Sequence, residues 1–145
     1  MNYARFNFEI VWLLKRLAER NIIPVLVDDG GERHELVGWN LTDDLGHNAR
    51  LDEATDIMMS VDDSTVWFEK DGKHVAKAYF VRGNEPGVIL ADYSYDPNNN
   101  DHLLFEEITK KASEEFVAWT ELNNEFFILE DLERLFGLSD EEIYG

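Results

Sequence analysis

Thr65-Val66-Trp67-Phe68-Glu69-Lys70-Asp71-Gly72-Lys73-His74-Val75-Ala76-Lys77-Ala78-Tyr79-Phe80-Val81-Arg82 is the stretch whose pattern decides the fold. Two runs rich in β-branched and aromatic residues flank Asp71-Gly72, a dipeptide that tolerates positive φ at both positions and so suits a two-residue hairpin turn. In the second run Ala76, Ala78 and Phe80 share one face, and Val75, Lys77, Tyr79 and Val81 share the other. The first of these faces is the more uniformly apolar and is expected to meet the core. After the turn cluster Gly83-Asn84-Glu85-Pro86-Gly87, Val88–Tyr93 adds a third strand and completes a meander.

Working towards the N-terminus, Arg33–Trp39 and Ile22–Val27 flank Asp28-Asp29-Gly30-Gly31 and predict a second hairpin with a longer connection. Pro24 lacks a ladder donor, which places the first of these strands at a sheet edge or starts it near that residue. Phe6, Ile10, Leu13, Leu14 and Leu17 recur at helical spacing, with Glu9, Lys15, Arg16, Glu19 and Arg20 largely off the stripe. They predict a helix over Ala4–Glu19, with Asn21 as its left-handed terminal residue and Pro24 preventing continuation. Asn40–Arg50 lacks periodicity and is expected to be loop, whereas Leu51, Ala54, Met58 and Val61 predict a short helix over Leu51–Val61.

Towards the C-terminus, Asp101 is a candidate N-cap for a long helix carrying Leu104, Ile108, Ala112, Phe116 and Trp119 to about Asn123-Asn124. Phe126–Phe136, closed by Gly137, predicts one more helix. The expected architecture is an α+β single globular domain spanning 1–145. An antiparallel sheet made of two hairpins and a meander is packed by N-terminal and C-terminal helices.

The chain of 145 residues carries 31 Asp and Glu against 13 Lys and Arg, a net charge of −18. With 44% hydrophobic residues it has the material for a core, which argues against disorder. Repulsion of phosphates argues against direct binding to DNA, RNA or anionic lipid. No apolar run reaches the roughly 20 residues of a membrane-spanning helix. The start lacks the apolar block of a signal peptide and there is no cysteine, so a cytoplasmic protein without disulfides or thiolate chemistry is expected.

Signals for catalysis are weak. No serine sits in a nucleophile elbow, no glycine pattern cradles phosphate, and His34, His47, His74 and His102 show no metal-ligand spacing. An enzyme would need some of Asp43, Asp44, His47, Asp92 and His102 to converge. Asp96, Asn98, Asn100 and Glu107 match the oxygen-ligand spacing of a calcium loop. Asp101 stands where that loop needs glycine, however, so neither a metal nor a cofactor is expected. Leu129–Ser139 resembles the start of a helix-turn-helix, but Asp140–Gly145 is too short and too acidic for a recognition helix.

Outside the i, i+4 Glu–Lys pairs of the long helix, acids cluster at Asp28, Asp29, Asp43, Asp44, Asp52, Glu53, Asp56, Asp62, Asp63, Glu130, Asp131 and Glu133, with Asp140-Glu141-Glu142 at the end. Such clusters can imitate the phosphate spacing of a duplex, one charge per about 1.7 Å of axis, or match a basic protein groove.

Tyr79-Phe80-Val81-Arg82-Gly83-Asn84-Glu85-Pro86-Gly87-Val88-Ile89-Leu90-Ala91-Asp92-Tyr93-Ser94 resembles a pattern in small uncharacterised proteins of phages, plasmids and other mobile elements. There a strand leads to a Gly-Asn-x-Pro turn, a strand ending Asp-Tyr-Ser or Asp-Tyr-Thr, and a helix. The resemblance covers about residues 51–119 and departs from the pattern at Gly87, where an acid is common. It implies a mobile-element origin and carries no catalytic residues.

Together these readings lead to the expectation of a non-enzymatic acidic inhibitor, of the anti-restriction, anti-CRISPR or DNA-mimic type. Its expected partner is a basic nucleic-acid-binding protein, with Trp39, Trp67 and Tyr95 as aromatic anchors where exposed and buried packing as the alternative role for most of them. The alternatives are an immunity protein or antitoxin that neutralises a basic nuclease toxin, and an enzyme using carboxylate or histidine chemistry.

Overall fold

A computed structural model describes residues 3–36, 49–82 and 85–122. The chain runs α1 (Tyr3–Glu19), β1 (Ile23–Asp28), β2 (Arg33–Glu35), α2 (Ala49–Met59), β3 (Asp63–Lys70), β4 (Lys73–Val81), β5 (Leu90–Tyr95) and α3 (Asp101–Leu122). The five strands form one antiparallel sheet in the order β2-β1-β3-β4-β5. The fold is α+β, with helices packed on the sheet.

The central hairpin forms as its sequence dictates. Asp71 and Gly72 take φ of 53° and 78°, the paired positive angles that match the twist of the flanking strands. Ala76, Ala78 and Phe80 are fully buried beneath the helices, and Phe68 packs on Phe105 of α3 with ring centroids 5.4 Å apart. Val75 is buried as well, because a register shift between Phe68 and Glu69 leaves it as the extra residue of a bulge.

The outer face of the sheet carries Trp67, half-buried beneath the Arg33 guanidinium and the Lys77 ammonium, at 5.3 and 4.9 Å from its ring centroid. Those contacts place an aromatic residue at the centre of the exposed face without leaving its ring bare.

Helix α1 departs from the amphipathic expectation. Every residue from Phe6 to Leu14 is buried, including Asn7 and Glu9. The reason is position: α1 packs against α3, α2 and β1, so apolar residues outside the Phe6–Leu17 stripe are covered too. Trp12 lies edge-on to Phe116 at 5.6 Å, and Phe8 stacks on Trp119 at 5.7 Å. Asn21 takes φ of 63° and ends the helix as expected. Its Nδ2 donates to Asp71 Oδ1 at 2.8 Å, tying the end of α1 to the central hairpin turn.

Several boundaries shift. Pro24 sits in an interior strand, next to a register shift between Pro24 and Leu26, and β2 pairs only with Leu26–Asp28. The proline is therefore accommodated at the strand's start, not at a sheet edge. Helix α2 begins at Ala49 and ends at Met59, two residues earlier at each end than expected.

Strand β5 runs Leu90–Tyr95 instead of Val88–Tyr93, because the turn through Gly87 is closed by Val88 N–H donating to Glu85 C=O at 3.1 Å. At α3 the capping oxygen belongs to Asn99, whose Oδ1 accepts the Asp101 N–H at 3.0 Å, while Asp101 stands in the first turn. The expected strand residues Val37–Trp39, most of the loop over 40–50, the Gly83-Asn84 dipeptide and the helix over Phe126–Phe136 lie outside the described residues.

Candidate interaction surface

The sheet topology brings two of the acidic pairs to one end. Asp28 closes β1 and lies opposite Thr65, two residues from Asp63 at the start of β3, so Asp28-Asp29 and Asp62-Asp63 share that end. Asp62 C=O accepts the Arg82 N–H at 2.8 Å, and Asp63 accepts the Tyr79 hydroxyl across the β3–β4 pair. On α2, which packs on β1, Asp52 and Glu53 are half-buried. Asp56 there is exposed, and partial desolvation raises its pKa. Asp43, Asp44, Glu130, Asp131 and Glu133 lie outside the described residues.

At this acidic end the β1–β2 turn is held by a set of side-chain hydrogen bonds. Asp28 Oδ1 accepts the Gly30 N–H at 2.9 Å, and Gly30 has φ of 97°. Asp29 Oδ1 accepts the N–H groups of Gly31 and Glu32 at 2.9 and 2.7 Å. Its other oxygen faces His34 Nε2 at 2.7 Å, and Glu32 Oε2 lies 3.8 Å from the same nitrogen.

The hydrogen bond with His34, and then those from the Gly31 and Glu32 amides, lower the Asp29 pKa to about 2. Asp29 in turn raises the pKa of His34. Among the described residues, Asp29, Glu32 and His34 form the group of carboxylates and imidazole whose ligand atoms all lie within 4.8 Å of one another. The Asp-x-x-Glu-x-His spacing has no helical or strand period; its signal is the tight hairpin turn, which brings positions 29, 32 and 34 together.

The calcium-like loop is engaged with itself. Asp96 Oδ1 accepts the Asn98 N–H at 2.9 Å, and Asn99 reaches across to donate to His74 C=O at 2.7 Å. Lys73 lines the same crevice as Asp96, Asn98 and Asn100, and Glu107 is exposed on α3.

Of the residues whose convergence an enzyme would need, Asp92 and His102 are described, and they lie on opposite faces of the sheet. Asp92 pairs in register with Tyr79 on the outer face of the sheet. His102 stacks on Tyr95 at 4.0 Å, with its Nδ1 at 2.7 Å from Asn99 C=O, on the helix side. His47 lies outside the described residues, as does Trp39 of the candidate anchors; Tyr95 is exposed and Trp67 half-buried.

A groove of about 840 Å³ runs between the edge strand β5 and α3. Val88, Leu90, Val117 and Ala118 line it with apolar surface, alongside the charged Glu106, Lys110, Glu114 and Glu121. The Tyr93 hydroxyl donates to Glu106 there, and burial followed by that bond pushes the phenol pKa up to about 12. Among the described residues, no helix is long and apolar enough to cross a membrane. Comparison with known proteins matches no family model, no curated protein and no solved structure.

Proposed function

We propose that the protein is a non-enzymatic interaction protein whose acidic surface occupies a basic, nucleic-acid-binding site on a protein partner, as a mobile-element inhibitor of host defence would. The observation that carries this reading is the charge: a net −18 on 145 residues, with Asp28, Asp29, Asp62 and Asp63 gathered at one end of a sheet. Asp29 stays ionised well below neutral pH, so its own charge is present throughout the physiological range. A surface of this kind accelerates encounter with a basic groove through long-range attraction, an effect that salt screens.

The direct experiment is capture from host lysate at low and high salt, followed by mass spectrometry. The reading expects nucleic-acid-binding proteins retained at low salt and released at high salt. Recovery of only non-basic metabolic enzymes contradicts it. A captured nuclease toxin would instead make the protein an immunity protein or antitoxin.

A further inference from the structure

We propose that the β1–β2 turn is a divalent transition-metal site in which Asp29 Oδ2, Glu32 Oε2 and His34 Nε2 ligate one zinc-type ion. The separations from His34 Nε2 are 2.7 Å to Asp29 and 3.8 Å to Glu32, and the three atoms lie within 4.8 Å of one another. Donors around a tetrahedral ion with bonds of about 2.0–2.2 Å sit roughly 3.3–3.6 Å apart, so both separations from His34 Nε2 are within about 1 Å of what such an ion needs, and the exposed Glu32 side chain can close the remaining distance to Asp29.

The turn presents the ligands in usable orientations. The amides of Gly31 and Glu32 hold Asp29 by Oδ1 and leave Oδ2 turned towards the imidazole. The Asp29 and His34 side chains are 24% and 32% exposed, so an ion can enter and keep solvent in its remaining position. Glu32, at 79% exposed, closes over it from the solvent side.

The imidazole nitrogen separates this group from the purely acidic pairs elsewhere on the surface. One nitrogen and two carboxylate oxygens favour zinc, cobalt or nickel over calcium or magnesium, which prefer all-oxygen shells. A bound dication would offset two carboxylate charges at the acidic end of the sheet. The site stands on its own geometry and does not depend on the proposed function.

Isothermal titration of the metal-free full chain with Zn²⁺, Ca²⁺ and Mg²⁺ tests the site. The expected result is one Zn²⁺ per chain, with binding weakened at least about tenfold by His34→Ala and by Glu32→Gln, a loss of the size that even outer-sphere partners cause. Co²⁺ substituted for Zn²⁺ should shift the amide resonances of Gly31 and Glu32 ahead of all others. Glu32→Gln alters a solvent-exposed side chain, so it reports on binding even if His34→Ala disturbs the fold. Three results would each overturn the proposal: no Zn²⁺ binding, Zn²⁺ binding unchanged in the Glu32→Gln variant, or Ca²⁺ bound as tightly as Zn²⁺.

Discussion

Glu9, buried in the middle of α1, accepts the backbone N–H of Gly87 on both carboxylate oxygens, at 3.0 and 3.1 Å. The two residues are 78 positions apart, and their contact fastens the turn before β5 to the first helix. Gly87 is suited to that place in two ways. Its φ of 88° is one that side-chain-bearing residues rarely adopt, and a Cβ there would lie 2.7 Å from Val117 Cγ2 on α3.

Burial raises the Glu9 pKa to about 7, against an opposing contribution from the Gly87 hydrogen bond. The folded chain consequently holds a proton on Glu9 between about pH 4.5 and 7 that the unfolded chain has released. Stability contributed by the protonated group is complete below that window and is lost as pH rises through it, by about 3 kcal/mol at most. Glu9→Gln keeps an acceptor for Gly87 without the charge. Urea unfolding should show the variant matching the native protein at pH 4.5 and exceeding its stability at pH 8. Parallel pH profiles for the two proteins would contradict this account.

Gly87→Ala should destabilise the protein by about 1–3 kcal/mol, from left-handed strain and the close approach to Val117. Val117→Ala in the same chain should recover the packing part of that loss and leave the strain. Thermal unfolding of the two single variants and the double variant measures the coupling. Strict additivity would show that the contact is not the cause.

In metal-free protein, the His34 imidazole should titrate above its ordinary value of 6.5, because the protonated ring gains the Asp29 carboxylate. Asp29→Asn removes the charge while keeping an oxygen for the Gly31 and Glu32 amides. Its His34 pKa, followed by ring-proton NMR, should fall towards the ordinary value. An unchanged midpoint would mean that the pair is not formed in solution.

Capping of α3 separates two neighbouring residues. Asn99→Ala removes the acceptor of the Asp101 N–H and the donor to His74 C=O, and should cost about 0.5–2 kcal/mol. Asp101→Ala removes only a first-turn charge and should cost a few tenths of a kcal/mol at the helix N-terminus. The reverse order in chemical denaturation would restore Asp101 as the cap.

Where one element's own residues carry the information, the sequence was sufficient. Asp71-Gly72, the Ala76-Ala78-Phe80 face and the end of α1 at Asn21 all follow from local backbone preferences and period-two alternation. The burial of Glu9 was not legible, because it depends on the distant turn at Gly87, backed by α3, meeting the polar side of a helix whose stripe looked amphipathic. Of the acidic surface, the sequence showed the pairs but not that Asp28 and Asp63 share a sheet end, which is a matter of strand order. The Asp29–Glu32–His34 group was hidden for a different reason: its spacing matches no helical or strand period and acquires meaning only once the turn is folded.

The central claim is that the acidic surface and nucleic acid compete for one site on the partner. Equilibrium competition of labelled duplex DNA against this protein, on a partner captured at low salt, tests it most directly. The account expects mutual exclusion, with the protein's apparent affinity falling as salt rises and falling again in the triple variant Asp28→Asn, Asp62→Asn, Asp63→Asn. That variant leaves the Asp29, Glu32 and His34 side chains in place. A ternary complex in which DNA and this protein bind the partner together, with neither weakening the other, would contradict the account.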